Sequence, residues 1–266
     1  MAFNIAVHLT NALLVYLFIA MIFRTPFLSG SSLKSRSAVI ALFAALLFVA
    51  HPVQTQAVTY IWQRVTSLAT MFCLLSLVLY SKWRTSADLG SAKSLFFYVS
   101  SAVSVALAMK TKEIAFTLPV ILTLYEFMFF EGTTRRRILY ITLFLLTMFI
   151  IPLTFLKIDK PAEGIIGHAI ETARADTNMP RVDYLFTQFR VIVTYIRLLF
   201  FPAHQTLDYD YRTYHSLFRP EVFLSFLFLA SIIGTGIYIF SRYRKIVPQT
   251  RLISFGLFLV FCSPLC

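Results

Sequence analysis

MAFNIAVHLTNALLVYLFIAMIF, Met1–Phe23, decides how the chain is read. It is one apolar stretch without a charged side chain, and Arg24 follows it. A membrane-spanning helix needs about 20 mostly apolar residues. A signal peptide would carry its positive charge first and a small-residue cleavage site afterwards, so the stretch is expected to be a membrane helix. The rest of the sequence shares its character. Apolar residues make up 58% of the 266 and charged residues 14%, against about 25% charged in an ordinary soluble domain. So few polar residues cannot cover a water-soluble globule. Phe is in excess, with 28 copies beside 13 Tyr, while 8 Gly and 10 Pro are too few for a collagen-like or low-complexity chain.

Working outward, further apolar runs fall at 38–50, 65–81, 95–109, 114–130, 138–156, 221–240 and 251–266, in addition to 3–23. Inside a bilayer the backbone must pair within its own segment, so each run is expected to be a helix. The expected fold is all-α: a polytopic transmembrane helical bundle forming a single domain over 1–266, with about seven complete spans of membrane length. The last run is cut off by the end of the sequence.

Charge orients this set. The loop at 24–37 carries Arg24, Lys34 and Arg36, that at 81–94 carries Lys82, Arg84 and Lys93 against Asp88, and that at 131–137 carries Arg135, Arg136 and Arg137 against Glu131. They alternate with the less basic or balanced segments 51–64, 109–113 and 157–182. Short cytoplasmic loops collect Lys and Arg, so the basic loops are expected in the cytoplasm and Met1 outside. Residues 183–201 are long enough to cross, but a crossing would place Arg242, Arg244, Lys245 and Arg251 outside. The segment also has a polar stripe, Asp183, Thr187, Arg190, Thr194 and Arg197. An arginine at the bilayer centre costs about 2.5–3.5 kcal/mol or more. An amphipathic helix at the outer interface, or packed against the bundle, is expected instead, within an external region at 157–220.

The net charge of +12 would suggest nucleic acid in a soluble protein. Here the partner implied is the lipid bilayer, and no nucleic acid is expected. Cys73, Cys262 and Cys266 are odd in number and lack zinc spacing, so neither a disulfide framework nor a metal site is expected. No cofactor is expected, and a divalent metal stays open. There is no GxGxxG, Walker or HExxH motif.

The polar residues that invite chemistry gather on the expected outer side. In HPVQTQAVTYIWQR, His51–Arg64, Pro52 ends one helix. The next is expected to restart with Gln54, Thr55 and Gln56 in its first turn, which puts Arg64 about two and a half turns further on, near the membrane surface. This reads either as a functional surface or as an interfacial turn with a Trp62 anchor and a snorkelling arginine. In MKTKEIAF, Lys110, Lys112 and Glu113 sit between two apolar runs. Two ammonium groups at headgroup depth suit a lipid-linked phosphate, with Glu113 fixing one of them. The alternative is contact with ordinary anionic lipids. In FPAHQTLDYDYRTYHSLFRP, Phe201–Pro220, Asp208 and Asp210 flank Tyr209, with His204 and His215 nearby. Such a pair can serve acid–base or metal chemistry, but a D-x-D in a loop is weak evidence for it, and tyrosines gather at an interface for amphipathic reasons alone. His51, Asp208, Asp210, Arg190 and Arg197 are thus candidates for the external surface. His8 and Asn11 share a helix face and are expected to pair with neighbouring helices. Glu126, near a cytoplasmic helix end, is expected to be solvated.

Four blocks in order, NIAVHLTNALLVYLF, HPVQTQAVTYIWQRVTSLATMFCLLSLVLY, AMKTKEIAFTLPVILTLYEF and LLFFPAHQTLDYDY, resemble the membrane part of bacterial tetratricopeptide-repeat membrane proteins. These are similar to the transmembrane and tetratricopeptide-repeat O-mannosyltransferases of the GT-C glycosyltransferase superfamily. The resemblance implies a GT-C-like bundle in a bacterial inner membrane, transferring a sugar from a polyprenyl-phosphate donor to a hydroxyl of a protein acceptor. It implies that Lys110, Lys112 and Glu113 match the family's lysine–glutamate block, and Arg64 the end of its His-Pro block. Gln56 stands where a glutamate is usual. The family's catalytic base lies in a loop ahead of the helix that Met1 begins, so the chain is expected to be a fragment without that acidic residue. The rival expectation is a non-catalytic anchor or scaffold of a tetratricopeptide-repeat protein. A flippase or transporter finds no feature beyond the helices.

Overall fold

The computed structural model describes residues 2–60, 63–150, 180–203, 205–206, 212–243 and 249–262. Among them every regular element is helical, and there is no strand. The α-helices are α1 Ala2–Ile22, α2 Ser37–Ala50, α3 Thr55–Thr59, α4 Arg64–Arg84, α5 Ala92–Thr111, α6 Leu118–Phe129, α7 Thr134–Thr147, α8 Arg181–Phe200, α9 Pro220–Tyr243 and α10 Gln249–Cys262. Five segments are long and apolar enough to cross a membrane: Ala2–Ile22, Ser32–Ala50, Arg64–Arg84, Ala92–Thr111 and Pro220–Arg242. The runs expected at 3–23, 38–50, 65–81, 95–109 and 221–240 lie within them.

The run at 114–130 is not one helix. A 3-10 turn, Glu113–Thr117, precedes α6, which has 12 residues and Pro119 in its first turn. Proline has no N–H and a fixed φ, so a helix accepts it at the start and not in the interior. At 1.5 Å per residue α6 rises about 18 Å, short of a hydrocarbon core about 30 Å thick. The run at 138–156 begins inside α7, and its residues beyond 150 lie outside the described residues, as does most of the expected external region 157–220 before Pro180. The run at 251–266 corresponds to α10, with 263–266 outside the description.

Local chemistry sets the ends of these helices. The Ser91 hydroxyl accepts from Ser94 N and caps α5. Pro52 opens a 3-10 turn after α2, while His51 accepts from Val53 N through Nδ1 at 3.2 Å. Between α6 and α7, Gly132 takes φ +148°, a backbone conformation that side-chain-bearing residues rarely adopt.

Helices in lipid gain little from hydrophobicity against one another, so close packing and interhelical hydrogen bonds hold them. The α4–α5 seam shows both. Ser101 Oγ donates to Ser76 O at 2.9 Å, so the 2.9 Å contact between the two hydroxyls takes its proton from Ser76. Val105 and Ala108 continue the seam without exposed surface. Where α4–α7 and α10 meet, the core is aromatic. Tyr80 meets Phe144 edge-on at 5.4 Å, Trp83 lies 4.5 Å from Tyr98, and Tyr125 lies 5.8 Å from Phe255. Exposed Leu9, Leu13, Val39, Leu42, Phe43 and Leu46 give α1 and α2 an apolar outer face, as a lipid-facing surface requires.

The basic loops meet at one end. Arg84 Nη2 donates to Glu131 O at 3.3 Å, which joins the loops after α4 and α6. Arg251 Nη1 donates to Met128 O at 2.6 Å and lies 3.3 Å from the Phe27 ring centroid, which brings in the loop after α1 and the start of α10. Helix α8 packs on α9 through Ile192, Ile196 and Leu229, with Phe189 and Phe226 5.3 Å apart.

Candidate functional site

At the end opposite the basic loops, the polar face of α1 organises its neighbours. Asn4, His8 and Asn11 recur at helical spacing and are buried. Asn4 Nδ2 donates to Val58 O at 3.2 Å and Asn11 Nδ2 to Ser67 O at 3.1 Å. His8 Nε2 lies 3.4 Å from Val49 O, and its ring stacks on Phe48 at 5.3 Å. The pairing expected for His8 and Asn11 is therefore present. It leaves acceptors over: among the described residues, Asn4 Oδ1, Asn11 Oδ1 and Ser67 Oγ are buried without a hydrogen-bond partner.

Lys112 completes this end. It is half-buried, and its Nζ donates to Thr66 Oγ1 at 2.7 Å, in the first turn of α4. Arg64 does not lie along a helix restarted at Gln54, because that helix, α3, stops at Thr59; half-buried, it begins α4 instead. Among the described residues its buried Nε has no hydrogen-bond partner. Gln63, the N-cap, makes no side-chain cap bond. The first turn of a 21-residue helix thus offers N–H groups and the positive end of its dipole beside two cationic side chains, an arrangement suited to an anion. Lys110 is exposed at the end of α5 and Glu113 is exposed at the head of the 3-10 turn. Among the described residues no salt bridge joins Glu113 to either lysine; a threonine, not the glutamate, holds Lys112.

Three cavities run from this point. An apolar crevice of about 510 Å³ between α1, α4, the 3-10 turn and α10 is lined by Phe18, Cys73, Leu77, Ile114, Leu118 and Phe255, among others, and by Thr70. Thr70 also lines a polar recess of about 90 Å³ with His8, Asn11, Gln54, Thr66 and Ser67. His8 and Gln54 in turn line a third cavity of about 270 Å³, beside His51 and Thr55. Thr70 thus stands between an apolar crevice and a hydroxyl- and amide-lined recess, and Thr66, which accepts from Lys112, is part of the recess wall.

His51 has a positioning role: its Nε2 donates to Leu199 O at 2.9 Å and ties the end of α8 to the turn after α2. Since Nδ1 accepts from Val53 N, Nε2 carries the proton. Arg190 and Arg197 are exposed on α8. In its polar stripe Asp183 meets His215 at 2.6 Å, and Thr187 Oγ1 accepts from Tyr214 N at 3.2 Å. Asp208, Asp210, His204 and Trp62 lie outside the described residues. Among the described residues no group of three or more His, Cys, Asp or Glu is placed to hold a metal.

The basic end holds what the sequence did not reveal. Glu126, expected in solvent, has no exposed surface. Arg84 grips it from Nε to Oε2 at 2.8 Å and from Nη2 to Oε1 at 2.7 Å, and Tyr80 Oη donates to Oε2 at 2.9 Å. Arg137 Nη2 donates to Glu126 O at 2.7 Å, with its Nε 3.7 Å from Oε1. Burial draws the Arg137 guanidinium below its ordinary value, while the Glu126 carboxylate pulls the other way. The correction has a physical reason. The partners stand on other helices, and a fully buried carboxylate persists only when paired.

Fold and site together define a chain whose described elements are all helical and include several apolar helices of membrane length, compatible with an integral membrane protein. Comparison with protein-family models, with curated proteins and with solved structures gives no match in any of the three.

Proposed function

We propose that the chain is a membrane glycosyltransferase-like protein that binds a polyprenyl-phosphate sugar. The prenyl chain would occupy the apolar crevice, the phosphate would sit against Lys112, Arg64 and the start of α4, and the sugar would face the recess at His8, Asn11 and Gln54. The observation that carries this reading is the sharing of Thr70 by the crevice and the recess, one turn from the threonine that holds Lys112. A lipid-linked sugar phosphate has the same sequence of chemistries: apolar, anionic, hydroxyl-rich. The recess walls offer amide and hydroxyl groups, and two of its buried oxygens still lack partners among the described residues.

The finer architecture belongs to the same proposal. The 3-10 turn with α6, and the run 138–156 that α7 begins, would act as two further spans, giving about seven of membrane length. The fold is then GT-C-like, with the basic loops in the cytoplasm of a bacterial inner membrane and α8 outside. In the transfer itself, cations would stabilise the leaving phosphate while a base takes the proton of a protein hydroxyl. In the rival reading, a non-catalytic scaffold of a tetratricopeptide-repeat protein, no lipid phosphate need bind.

Photolabelling tests this assignment. A polyprenyl phosphate carrying a diazirine in its chain is expected to label peptides containing Ile114–Ile121 and Leu252–Leu259. Labelling confined to the outer faces of α1 and α2 would contradict it.

A further inference from the structure

The basic end contains a further cavity, of about 290 Å³, at the junction of α6, α7, α9 and α10. Phe27, Phe127 and Phe130 form apolar walls, Arg137 and Arg251 supply guanidinium groups, and Glu131 is its one acidic lining residue. We propose that this cavity binds the phosphate of an anionic phospholipid headgroup.

Charge is the first argument. Arg84 takes both oxygens of Glu126, and Arg137 is a second cation on that same carboxylate. Among the described residues the Arg137 Nε is buried and makes no hydrogen bond. Two guanidinium groups thus share one buried carboxylate, which leaves a net positive charge against phenylalanine walls. Arg137 lies 4.2 Å from the Phe127 ring centroid, which orients the guanidinium without neutralising it.

The backbone adds to this field. Helix α7, 14 residues long, starts at the cavity, and its N-cap Thr133 makes no side-chain cap bond. Its first N–H groups and dipole favour an anion there. Arg251 is 7% exposed, so its guanidinium is a built part of the wall and not a surface charge. Arg135 and Arg136 flank the site on the exposed start of α7. Basic pockets between helices at a membrane surface suit phospholipid headgroups, and the aromatic walls suit the glycerol and first acyl carbons. Exposed Glu131 weakens the attraction.

The test uses the full chain purified in neutral detergent. Retention of phosphatidylglycerol and of phosphatidylcholine is measured by native mass spectrometry, with inorganic phosphate as competitor. Phosphatidylglycerol is expected to be retained over phosphatidylcholine. Arg137→Gln is expected to weaken retention about tenfold, the loss of a charge-assisted bond. Glu131→Gln, which changes only an exposed side chain, is expected to strengthen it about fivefold by removing one like charge. Equal retention of the two lipids, or no gain in Glu131→Gln, would overturn the proposal. Displacement of the lipid by millimolar inorganic phosphate would assign the site to a soluble anion and overturn the lipid.

Discussion

Arg84 and Glu126 stand 42 positions apart in the chain and meet through two hydrogen bonds of 2.8 and 2.7 Å at the basic end of the bundle. The pair joins the last turn of α4 to the last turn of α6, and Arg137 draws in the start of α7. Two loops expected on one side of a membrane, 81–94 and 131–137, are thereby fastened to one buried glutamate.

Glu126→Gln keeps the shape of the side chain and removes its charge, leaving Arg84 and Arg137 around a neutral amide. Breaking a buried pair in this way costs about 3–5 kcal/mol. Tyr80→Phe deletes one hydrogen bond to the same carboxylate and is expected to cost about 1.5–3 kcal/mol. Thermal unfolding in detergent should rank wild type above Tyr80→Phe and Tyr80→Phe above Glu126→Gln. Equal stability of all three would mean that the pair does not hold the helix ends.

The α4–α5 seam is tight because its residues are small. Ser101→Ala removes one interhelical hydrogen bond, worth about 0.6 kcal/mol on average in a membrane protein. Ser101→Leu pushes a branched side chain against Ser76 and is expected to cost more, about 1–3 kcal/mol of overpacking. Ser101→Leu as stable as Ser101→Ala would show that the helices do not approach so closely.

His51 fastens α8 through a single bond to Leu199 O and supports the turn below through Val53 N. In His51→Ala, amide exchange at Val53 and around Leu199–Phe201 should quicken several-fold, as the loss of one modest hydrogen bond requires, while α4 and α5 keep their protection. Unchanged exchange at Val53 would remove the histidine from this role.

Sidedness follows from the gathering of basic loops. Among variants with the native cysteines replaced by serine, Ala87→Cys and Thr133→Cys should react with an impermeant maleimide from one face of sealed vesicles. Glu113→Cys should react from the other. Reaction of all three from the same face would contradict the bundle's orientation.

The long helices were legible because a membrane span writes itself as an uninterrupted apolar run. α1, α2, α4, α5 and α9 fall where 3–23, 38–50, 65–81, 95–109 and 221–240 were expected. At 114–130, composition alone concealed the break, since Pro119 fits the first turn of a helix as well as an apolar run. In sequence, arginines outside the apolar runs have the look of loop charges, which conceals the Glu126 network. Nothing local tells Glu126 that Arg84 and Tyr80 face it from α4. The Lys112–Thr66 bond was equally invisible, because the neighbouring Glu113 was the obvious partner by sequence. Only the antiparallel packing of α4 and α5 brings the threonine to the lysine.

Binding of a polyprenyl phosphate to the purified chain tests the central claim most directly, with Lys112→Ala and Lys112→Arg compared with wild type. The account predicts saturable binding by wild type, loss of about tenfold or more in Lys112→Ala, and recovery of much of it in Lys112→Arg, because the charge that meets the phosphate is restored. Binding of equal strength in all three proteins, or none in the wild type, would contradict it.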